Sequence, residues 1–309
     1  MRLFAAFLIV AVFVTVQCYD IGVGIYDTTG PSTAINFMGY AVPNQRGKGI
    51  HLRLRARSFV VRDTANDKIV AFVSNDGGMG SDLVKQKVIE NLNQRLNSNV
   101  FTHDNVCISG THTHSGPAGF LQYVLFQMTS LGFVQETFDA WVNGITESIL
   151  MAYNNIETDV SINFSQGNLF DSNINRSPTS YLLNPEAERA EYEDIGDTDK
   201  NMVMIKFTKD SKIIGAFNWF AVHATSMNNT NMYVSGDNKG YAAYALEKDV
   251  NGVDSVPGAG PFVAGFCSTN LGDVSPNTNG AKCIDTGEPC DGTTSTCNGR
   301  CEKCIAFGK

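Results

Sequence analysis

The chain has 309 residues, 43% of them hydrophobic, and a formal net charge of −8 at pH 7. This length is sufficient for one large or two small domains with a buried core. No block of Lys and Arg is present, which argues against a nucleic-acid partner because phosphate binding requires a clustered basic surface.

The beginning of the chain has the layout of a secretory signal peptide. Arg2 precedes an apolar segment over residues 3–16 that carries no charge, and the first acidic residue is Asp20. The apolar segment is shorter than the roughly 20 residues that span a bilayer, so a signal anchor is the weaker alternative. We therefore expect a signal peptide over residues 1–18 and a mature chain that is secreted or lies at the extracellular face of the plasma membrane.

Strand-like and helical patterns alternate along the rest of the chain and predict an α/β fold of mixed β-sheets with flanking helices. Ser81 is the expected N-cap of the first helix, because a Ser before an amphipathic pattern supplies the acceptor that a helix start lacks. The predicted elements are strands over 52–62 and 68–74, a helix over 82–96, a helix over 135–154, a hairpin of 202–207 and 212–220 with its turn at 208–211, and a helix over 240–250.

Two imidazoles on alternate residues form the most informative motif. His112 and His114 directly follow the apolar run 106–108 and precede Gly116 and Pro117. Residues i and i+2 of an extended backbone point to the same side, so both rings can reach one site. A metal or acid/base site is favoured over a pair of surface histidines, because the chain contains only five histidines.

Three polar clusters each follow an apolar strand candidate. His112 and His114 follow 106–108, His223 follows 213–222, and residues 268–277 follow 261–267. Ligands of α/β folds collect beyond the carboxyl ends of strands, so the three clusters converge if those strands are neighbours. His112, His114 and His223 can then supply imidazole to one zinc ion, although His223 alone fits a core histidine equally well.

Two further residues are candidates on weaker grounds. Ser275 lies in a bend where an exposed hydroxyl can attack a carbonyl, but the spacing alone favours an ordinary Asp/Ser/Asn turn. Arg176 can place a cation on a developing oxyanion, whereas the sequence alone favours a surface ion pair. No GxSxG motif is present, so a nucleophile elbow is absent from the sequence.

The cysteines agree with export. Five of the eight lie within residues 283–304, where a disulfide-stapled loop is favoured over a zinc ribbon, since Cys301 and Cys304 form only one CxxC pair. Cys107 and Cys267 lie in apolar runs and are expected to be buried core thiols.

Three N-glycosylation sequons begin at Asn163, Asn175 and Asn228. The first resembles an ordinary glycan site. The other two lie within the functional candidates.

These stretches together resemble the neutral ceramidase family, secreted or cell-surface amidases that cleave N-acylsphingosine. The resemblance runs from about Tyr19 to the end of the chain. Its motifs are Asp20-Ile21-Gly22, Asp27-Thr28-Thr29-Gly30-Pro31, Gly39-Tyr40-Ala41, Asn75-Asp76, the segment Thr111–Pro117, Asn175-Arg176-Ser177-Pro178, His223 with Ser226-Met227-Asn228, and the hexapeptide Gly272–Asn277.

The resemblance implies roles for the candidate residues. His112 and His223 become ligands of Zn²⁺, and His114 becomes a partner of the transition state instead of a third ligand. Arg176 becomes an oxyanion or substrate contact and Ser275 the residue assigned as nucleophile. The implied substrates are ceramide and other N-acylsphingoid lipids at membrane or micelle surfaces.

Two mechanisms remain open. Either water activated by the metal attacks the amide carbonyl while Ser275 assists by hydrogen bonding, or Ser275 attacks and an acyl-enzyme forms. The first is favoured, because a hydrolase with one metal ion does not need an acyl intermediate.

Family members are longer, which implies that residues 19–309 form the N-terminal part of a catalytic domain. A downstream Glu and Tyr that complete the zinc shell, and an immunoglobulin-like C-terminal domain, are then absent from this sequence. A partial sequence, a truncated product and an inactive relative all remain open, and the alternative function is a secreted fragment that binds lipid without turnover. The resemblance also suggests the pairs Cys283–Cys297 and Cys290–Cys304, with Cys301 left over.

Overall fold

The computed structural model describes residues 19–280. The strands, numbered in chain order, are β1 (Tyr19–Asp27), β2 (Thr33–Met38), β3 (Arg46–Ile50), β4 (Arg55–Asp63), β5 (Lys68–Asn75), β6 (Val106–Gly110), β7 (Gly116–Pro117), β8 (Glu157–Asn168), β9 (Ile174–Asn175), β10 (Asn201–Lys209), β11 (Lys212–Phe220), β12 (Tyr233–Val234), β13 (Val263–Ser268) and β14 (Val274–Ser275). The helices are α1 (Asp82–Leu96), α2 (Val124–Ser130), α3 (Gln135–Asn154), α4 (Pro178–Tyr181), α5 (Glu186–Ala190) and α6 (Asp237–Asn251).

An eight-stranded mixed sheet carries most of the fold, in the order β13-β11-β10-β8-β1-β4-β5-β6. The pairs β5–β6 and β11–β13 are parallel, and the other pairs of this sheet are antiparallel. A four-stranded sheet, β12-β3-β2-β7, and a two-stranded ribbon, β14-β9, complete the β-structure. The predicted α/β fold of mixed sheets with flanking helices is confirmed.

The large sheet folds back on itself, so that its two ends pack face to face. The ring of Phe217 on β11 lies 4.7 Å from that of Phe59 and 5.0 Å from that of Phe72, which belong to β4 and β5. Helices α1 and α3 cover the outer face of the β1-β4-β5-β6 half, and α6 covers the outer face of β11 and β13. The result is a layered core in which both sheet halves are buried between helices.

Local sequence signals account for the helices. The hydroxyl of Ser81 accepts a hydrogen bond from the backbone N–H of Val84, so the predicted cap and bounds of α1 are confirmed. Helix α3 spans the predicted 135–154, while α6 begins three residues earlier than predicted, at Asp237.

Helix α3 approaches β1 where the strand carries glycine. A Cβ atom at Gly22 would lie 1.8 Å from the carbonyl oxygen of Ala152, and one at Gly24 would lie 2.2 Å from that of Ser148. The close contact between helix and strand therefore requires glycine at both positions.

The predicted hairpin is confirmed, with β11 at the predicted bounds and β10 longer than predicted, at Asn201–Lys209. Asp210 and Ser211 at its turn have φ angles of 47° and 65°. Two consecutive left-handed residues match the right-handed twist of the flanking strands.

The predicted strand over 52–62 begins three residues later than predicted, at Arg55. Basic and apolar residues alternate along it, but not every Arg is exposed. Arg57 is buried and donates hydrogen bonds to Asp76 at 2.8 Å and Glu247 at 2.7 Å. The two carboxylates belong to the segment after β5 and to α6, so this ionic group joins the layers.

The prediction that Cys107 is a buried core thiol is wrong, whereas Cys267 is buried as predicted. Val106 and Ile108 face the helical layer. Cys107 alternates to the opposite face of β6, which is the edge strand of the sheet, and its side chain is exposed there.

Within residues 19–280, no helix is both long enough and apolar enough to cross a membrane. The predicted signal peptide over residues 1–18 and the cysteines from Cys283 to Cys304 lie outside the described residues.

Candidate functional site

The three polar clusters converge at one end of the folded sheet, as the sequence predicted, although the strands before them are not all neighbours. β11 and β13 are paired, but β6 lies at the opposite edge of the same sheet. The fold-back brings the edges together, and the hydroxyl of Ser268, the last residue of β13, donates to the carbonyl of Thr111, directly after β6, at 3.2 Å.

His112, His114 and His223 form one compact group. Their ring centroids are 4.8, 4.8 and 5.0 Å apart. The Nε2 atom of His114 lies 3.2 Å from that of His112 and 3.3 Å from that of His223. One nitrogen from each ring lies within 4.8 Å of the others, so the group can hold a metal ion.

The hydrogen bonds of the outer nitrogens distinguish the three rings. Nδ1 of His112 lies 2.5 Å from the carbonyl oxygen of Gly78, and Nδ1 of His223 lies 2.8 Å from that of Leu271. Each of these nitrogens must be the donor, which leaves the lone pair of Nε2 directed at the shared space. Nδ1 of His114 is buried and has no hydrogen-bond partner within the described part of the chain.

This pattern fits zinc. Ligating histidines usually donate their other N–H to a carbonyl or carboxylate, as His112 and His223 do and His114 does not. Tetrahedral zinc bound to nitrogen at about 2.0–2.1 Å places its ligand atoms about 3.3 Å apart, and the ligand nitrogens of His112 and His223 lie within 4.8 Å of each other. The donor set therefore suits the ion that the sequence predicted.

His114 is held tightly by its neighbours. The ring of Tyr40 packs edge-on against it with centroids 4.5 Å apart, and the Tyr40 hydroxyl donates to the carbonyl of Met227 at 2.8 Å. A Cβ atom at Gly39 would lie 2.3 Å from the His114 ring. The side-chain amide of Gln45 donates to the His114 carbonyl at 3.3 Å.

All three imidazoles are neutral at pH 7. Burial, followed by the charges of neighbouring groups, lowers the pKa of His114 to about 3 and that of His223 to about 4. Burial also lowers the pKa of His112. Neutral imidazole is the form that binds metal, so no histidine has to lose a positive charge before an ion binds.

Arg176 lies close enough to the histidines for its positive charge to lower the pKa of all three. It follows β9, and its backbone N–H donates to the carbonyl of Asp273 at 2.8 Å. The charge of Arg176 therefore acts on the imidazole group.

The ribbon of β9 and β14 carries Ser275 on one strand, and its other strand leads directly into Arg176. Ser275 pairs with Ile174, is 2% exposed, and accepts a hydrogen bond from the backbone N–H of Asn277 at 3.1 Å. His223 interacts with the carbonyls of Leu271 and Val274, which lie in the segment leading to this serine. The structure thus brings the segments of all five candidate residues together, and their catalytic roles remain predictions.

The sequence did not identify the first turn of α6, which borders the site. Asp237, Asn238 and Lys239 all form hydrogen bonds with the segments around His223. One signal was available, because Lys239, Ala243 and Glu247 share the buried face of the helix. Charged residues at i and i+8 on a buried face are unusual and indicate specific partners.

The sequons differ in exposure. Asn163 is exposed on β8, whereas Asn175 is buried and its amide donates to the carbonyl of Asp197 at 3.1 Å. Asn163 therefore presents its amide to solvent, and Asn175 does not. Glycosylation of Asn163 stays a proposal.

Comparison with curated proteins identifies close relatives. The chain is 50% identical over 291 residues to neutral ceramidase A of Dictyostelium discoideum, and to the same extent to the neutral ceramidase of Drosophila melanogaster. Each match covers 94% of this chain and 40% of the relative. Neutral ceramidase 2 of Arabidopsis thaliana is 43% identical over 348 residues, covering 95% of this chain and 45% of that protein. The chain therefore spans less than half the length of these relatives.

Solved structures agree in fold. One, described as "Ceramidase complexed with C2", has a TM-score of 0.78 at 38% identity and covers 86% of this chain and 40% of its own. The neutral ceramidase of Pseudomonas aeruginosa has a TM-score of 0.77 at 38% identity, with 84% and 40% covered. A sequence profile described as "Neutral/alkaline non-lysosomal ceramidase, N-terminal" matches residues 19–309. The chain belongs to the neutral/alkaline non-lysosomal ceramidase family.

Proposed function

We propose that the protein is a zinc-dependent amidohydrolase that cleaves the amide bond of ceramide to sphingosine and a free fatty acid, in sphingolipid catabolism. The observation that carries the proposal is the group of three neutral imidazoles. The Nε2 atom of His114 lies 3.2 Å from that of His112 and 3.3 Å from that of His223. Family membership directs that chemistry to ceramide, since the relatives are neutral ceramidases.

His112 and His223 are the proposed zinc ligands, because their Nδ1 atoms bind backbone carbonyls and their Nε2 atoms face the space shared with His114. When bound, zinc polarises a carbonyl oxygen and increases the acidity of water. A catalytic zinc site commonly has three protein ligands, so two histidines require at least one more.

His114 is the proposed acid/base or hydrogen-bond partner. Its Nε2 atom faces the same space as the two ligands, and its buried Nδ1 atom has no partner among the described residues that would fix the tautomer. A neutral imidazole that can carry its proton on Nε2 is able to donate to a reacting oxygen or nitrogen.

Arg176 and Ser275 are proposed to act on the amide carbonyl. The guanidinium of Arg176 stands beside the imidazoles, where it can stabilise negative charge that develops on the carbonyl oxygen. Ser275 either assists by hydrogen bonding or attacks the carbonyl itself, and we favour the assisting role.

A lipid surface is the proposed place of action, and secretion the proposed route to it. Residues 105–135 contain no Lys, Arg, Asp or Glu. Within this stretch, α2 and the residue after it expose four apolar side chains: Val124 (73%), Leu125 (64%), Met128 (68%) and Leu131 (57%). Uncharged apolar side chains in such a cluster suit insertion among lipid acyl chains.

The test combines zinc content with release of fatty acid from a fluorescent ceramide. We expect His223→Ala to lose both zinc and turnover, while His103→Ala, which alters an exposed histidine away from the group, retains both. Purified wild-type protein without zinc or turnover would instead support a fragment that binds lipid without cleaving it.

A further inference from the structure

The first turn of α6 is built against the backbone that carries His223. Three consecutive residues, Asp237, Asn238 and Lys239, direct their side chains to this backbone instead of to solvent. Asp237 and Lys239 are each only 3% exposed. Buried charged groups are costly unless they are fully hydrogen-bonded, so their partners indicate what they do.

Lys239 joins the ends of two neighbouring strands. Its ammonium group donates to the carbonyl of Phe220 at 3.0 Å and to that of Cys267 at 2.8 Å. Phe220 ends β11 and Cys267 is the penultimate residue of β13. One side chain therefore fixes the exits of both strands, from which the backbone continues to His223 and to Ser275.

Asn238 holds the histidine's own backbone. Its amide nitrogen donates to the carbonyl of His223 at 2.9 Å and lies 3.1 Å from the hydroxyl of Ser226. Beside it, the carboxylate of Asp237 accepts hydrogen bonds from the backbone N–H groups of Ser226 and Met227, both at 2.9 Å. The segment 223–227 is thus attached to the helix at three residues, His223, Ser226 and Met227.

The orientation of the His223 ring depends on the attachment of its backbone to α6 and on the carbonyl that binds its ring. Its Nδ1 atom is held by the carbonyl of Leu271, which belongs to the segment after β13. The main chain of His223 and the carbonyl that orients its ring therefore leave from two different strands. If the strand ends shift relative to each other, the Nε2 atom turns away from the other imidazoles.

We propose that Asn238 and Lys239 are positioning residues of the metal centre, which hold His223 and the segment that orients its ring in one fixed relation. This inference rests on the metal centre proposed above. It assigns to α6 a role in metal affinity that is separate from its packing against the sheet.

The experiment is a Co²⁺ titration of metal-free protein, followed by the visible absorption of the bound ion. The variants are Asn238→Ala, Lys239→Met and, as a matched control, Asn251→Ala. Asn251 lies at the other end of α6, where its amide donates to the carbonyl of Phe262 at 2.9 Å and accepts from the N–H of Phe262 at 2.9 Å. Circular dichroism and thermal unfolding report whether each variant is folded.

We expect Asn238→Ala to weaken Co²⁺ binding about tenfold or more, as the loss of a residue that orients a metal ligand does, and to alter the absorption of the bound ion. Folded Lys239→Met protein should behave in the same way. Asn251→Ala should lower the unfolding temperature with unchanged Co²⁺ affinity.

The outcomes separate the two proposals. Tight binding by the wild-type protein with wild-type affinity in Asn238→Ala would overturn the positioning role alone, whether or not Lys239→Met folds. Equal loss of affinity in Asn238→Ala and Asn251→Ala would also overturn it, because the effect would then follow general destabilisation. Failure of the wild-type protein to bind Co²⁺ would overturn the metal centre itself, and the positioning role with it.

Discussion

His223 and Leu271 are joined by a hydrogen bond of 2.8 Å between the imidazole Nδ1 atom and the backbone carbonyl. This bond links a proposed metal ligand to the segment that carries Ser275, four residues further on. The ion and the serine are therefore not independent features, because the backbone that orients the ring also sets the position of the hydroxyl.

Replacement of Ser275 by Ala distinguishes the two routes to amide cleavage. If Ser275 assists by hydrogen bonding, we expect the variant to retain turnover at a rate lowered by about 10²–10³-fold, the usual effect of removing one donor to a developing oxyanion. Wild-type protein treated with hydroxylamine during turnover should then yield no acyl hydroxamate. Ser255→Ala, in the loop after α6, is the control. A hydroxamate formed by wild-type protein and abolished in Ser275→Ala would establish an acyl-enzyme instead.

Replacement of Arg176 by Ala should lower kcat by about 10²–10³-fold with a smaller change in KM, because the charge acts mainly on the transition state. The same change should raise the pKa of His112, His114 and His223, since the charge of Arg176 lowers all three. Kinetics and NMR titration of the metal-free protein measure the two effects. Arg46→Ala, at an exposed position on β3, should change neither. Unaltered kinetics in Arg176→Ala would remove this residue from the mechanism.

The stability of the metal-free protein should fall on acidification. The pKa of His114 is about 3 in the folded state, against about 6.5 when unfolded. Between these values the unfolded chain binds the extra proton, so the free energy of unfolding decreases as the pH falls below about 6.5. At about 1.4 kcal/mol per pH unit, His114 alone contributes a loss of about 2 kcal/mol between pH 7 and pH 5.

The His114→Gln variant lacks this titration, so it should lose about 2 kcal/mol less than wild type over the same interval. Denaturant unfolding in the presence of a chelator, at the two pH values, measures the difference. Identical losses in the two proteins would show that His114 titrates normally in the folded state.

The exposed side chains of α2 should decide binding to lipid. A Leu125→Ser/Met128→Ser double variant should sediment with neutral phosphatidylcholine vesicles at least about tenfold less than wild type, because two buried apolar side chains contribute more than 1.4 kcal/mol together. Turnover of a short-chain, soluble ceramide should be unchanged. Val253→Ser, which alters a side chain that is 75% exposed elsewhere, is the control. Equal sedimentation of all three proteins would place the lipid contact elsewhere.

The sequence predicted those elements whose signals are local. Ser81 and the periodic apolar residues define α1, and the turn residues Asp210 and Ser211 define the hairpin. By contrast, no strand was predicted for β1, since Gly22 and Gly24 interrupt its pattern. These glycines are required because α3 packs closely against the strand. The sequence of the strand alone does not show this tertiary contact.

For the site as well, the sequence predicted what local signals show and missed what depends on tertiary contacts. Apolar runs followed by polar residues located His112, His114 and His223, and the rule that ligands collect beyond strand ends predicted their convergence. The sequence could not show that β6 reaches the other strands only because the sheet folds back. Nor could it show what Asn238 and Lys239 bind, because their partners are backbone carbonyls, which leave no pattern of complementary side chains.

The central claim is that one metal ion sits between His112 and His223. An anomalous difference map from crystals of the purified protein, recorded on both sides of the zinc absorption edge, tests it most directly. We expect a single zinc peak about 2.0–2.1 Å from the Nε2 atoms of both histidines. Bound zinc at any other position, or crystals of active protein without a peak at these nitrogens, would contradict the account.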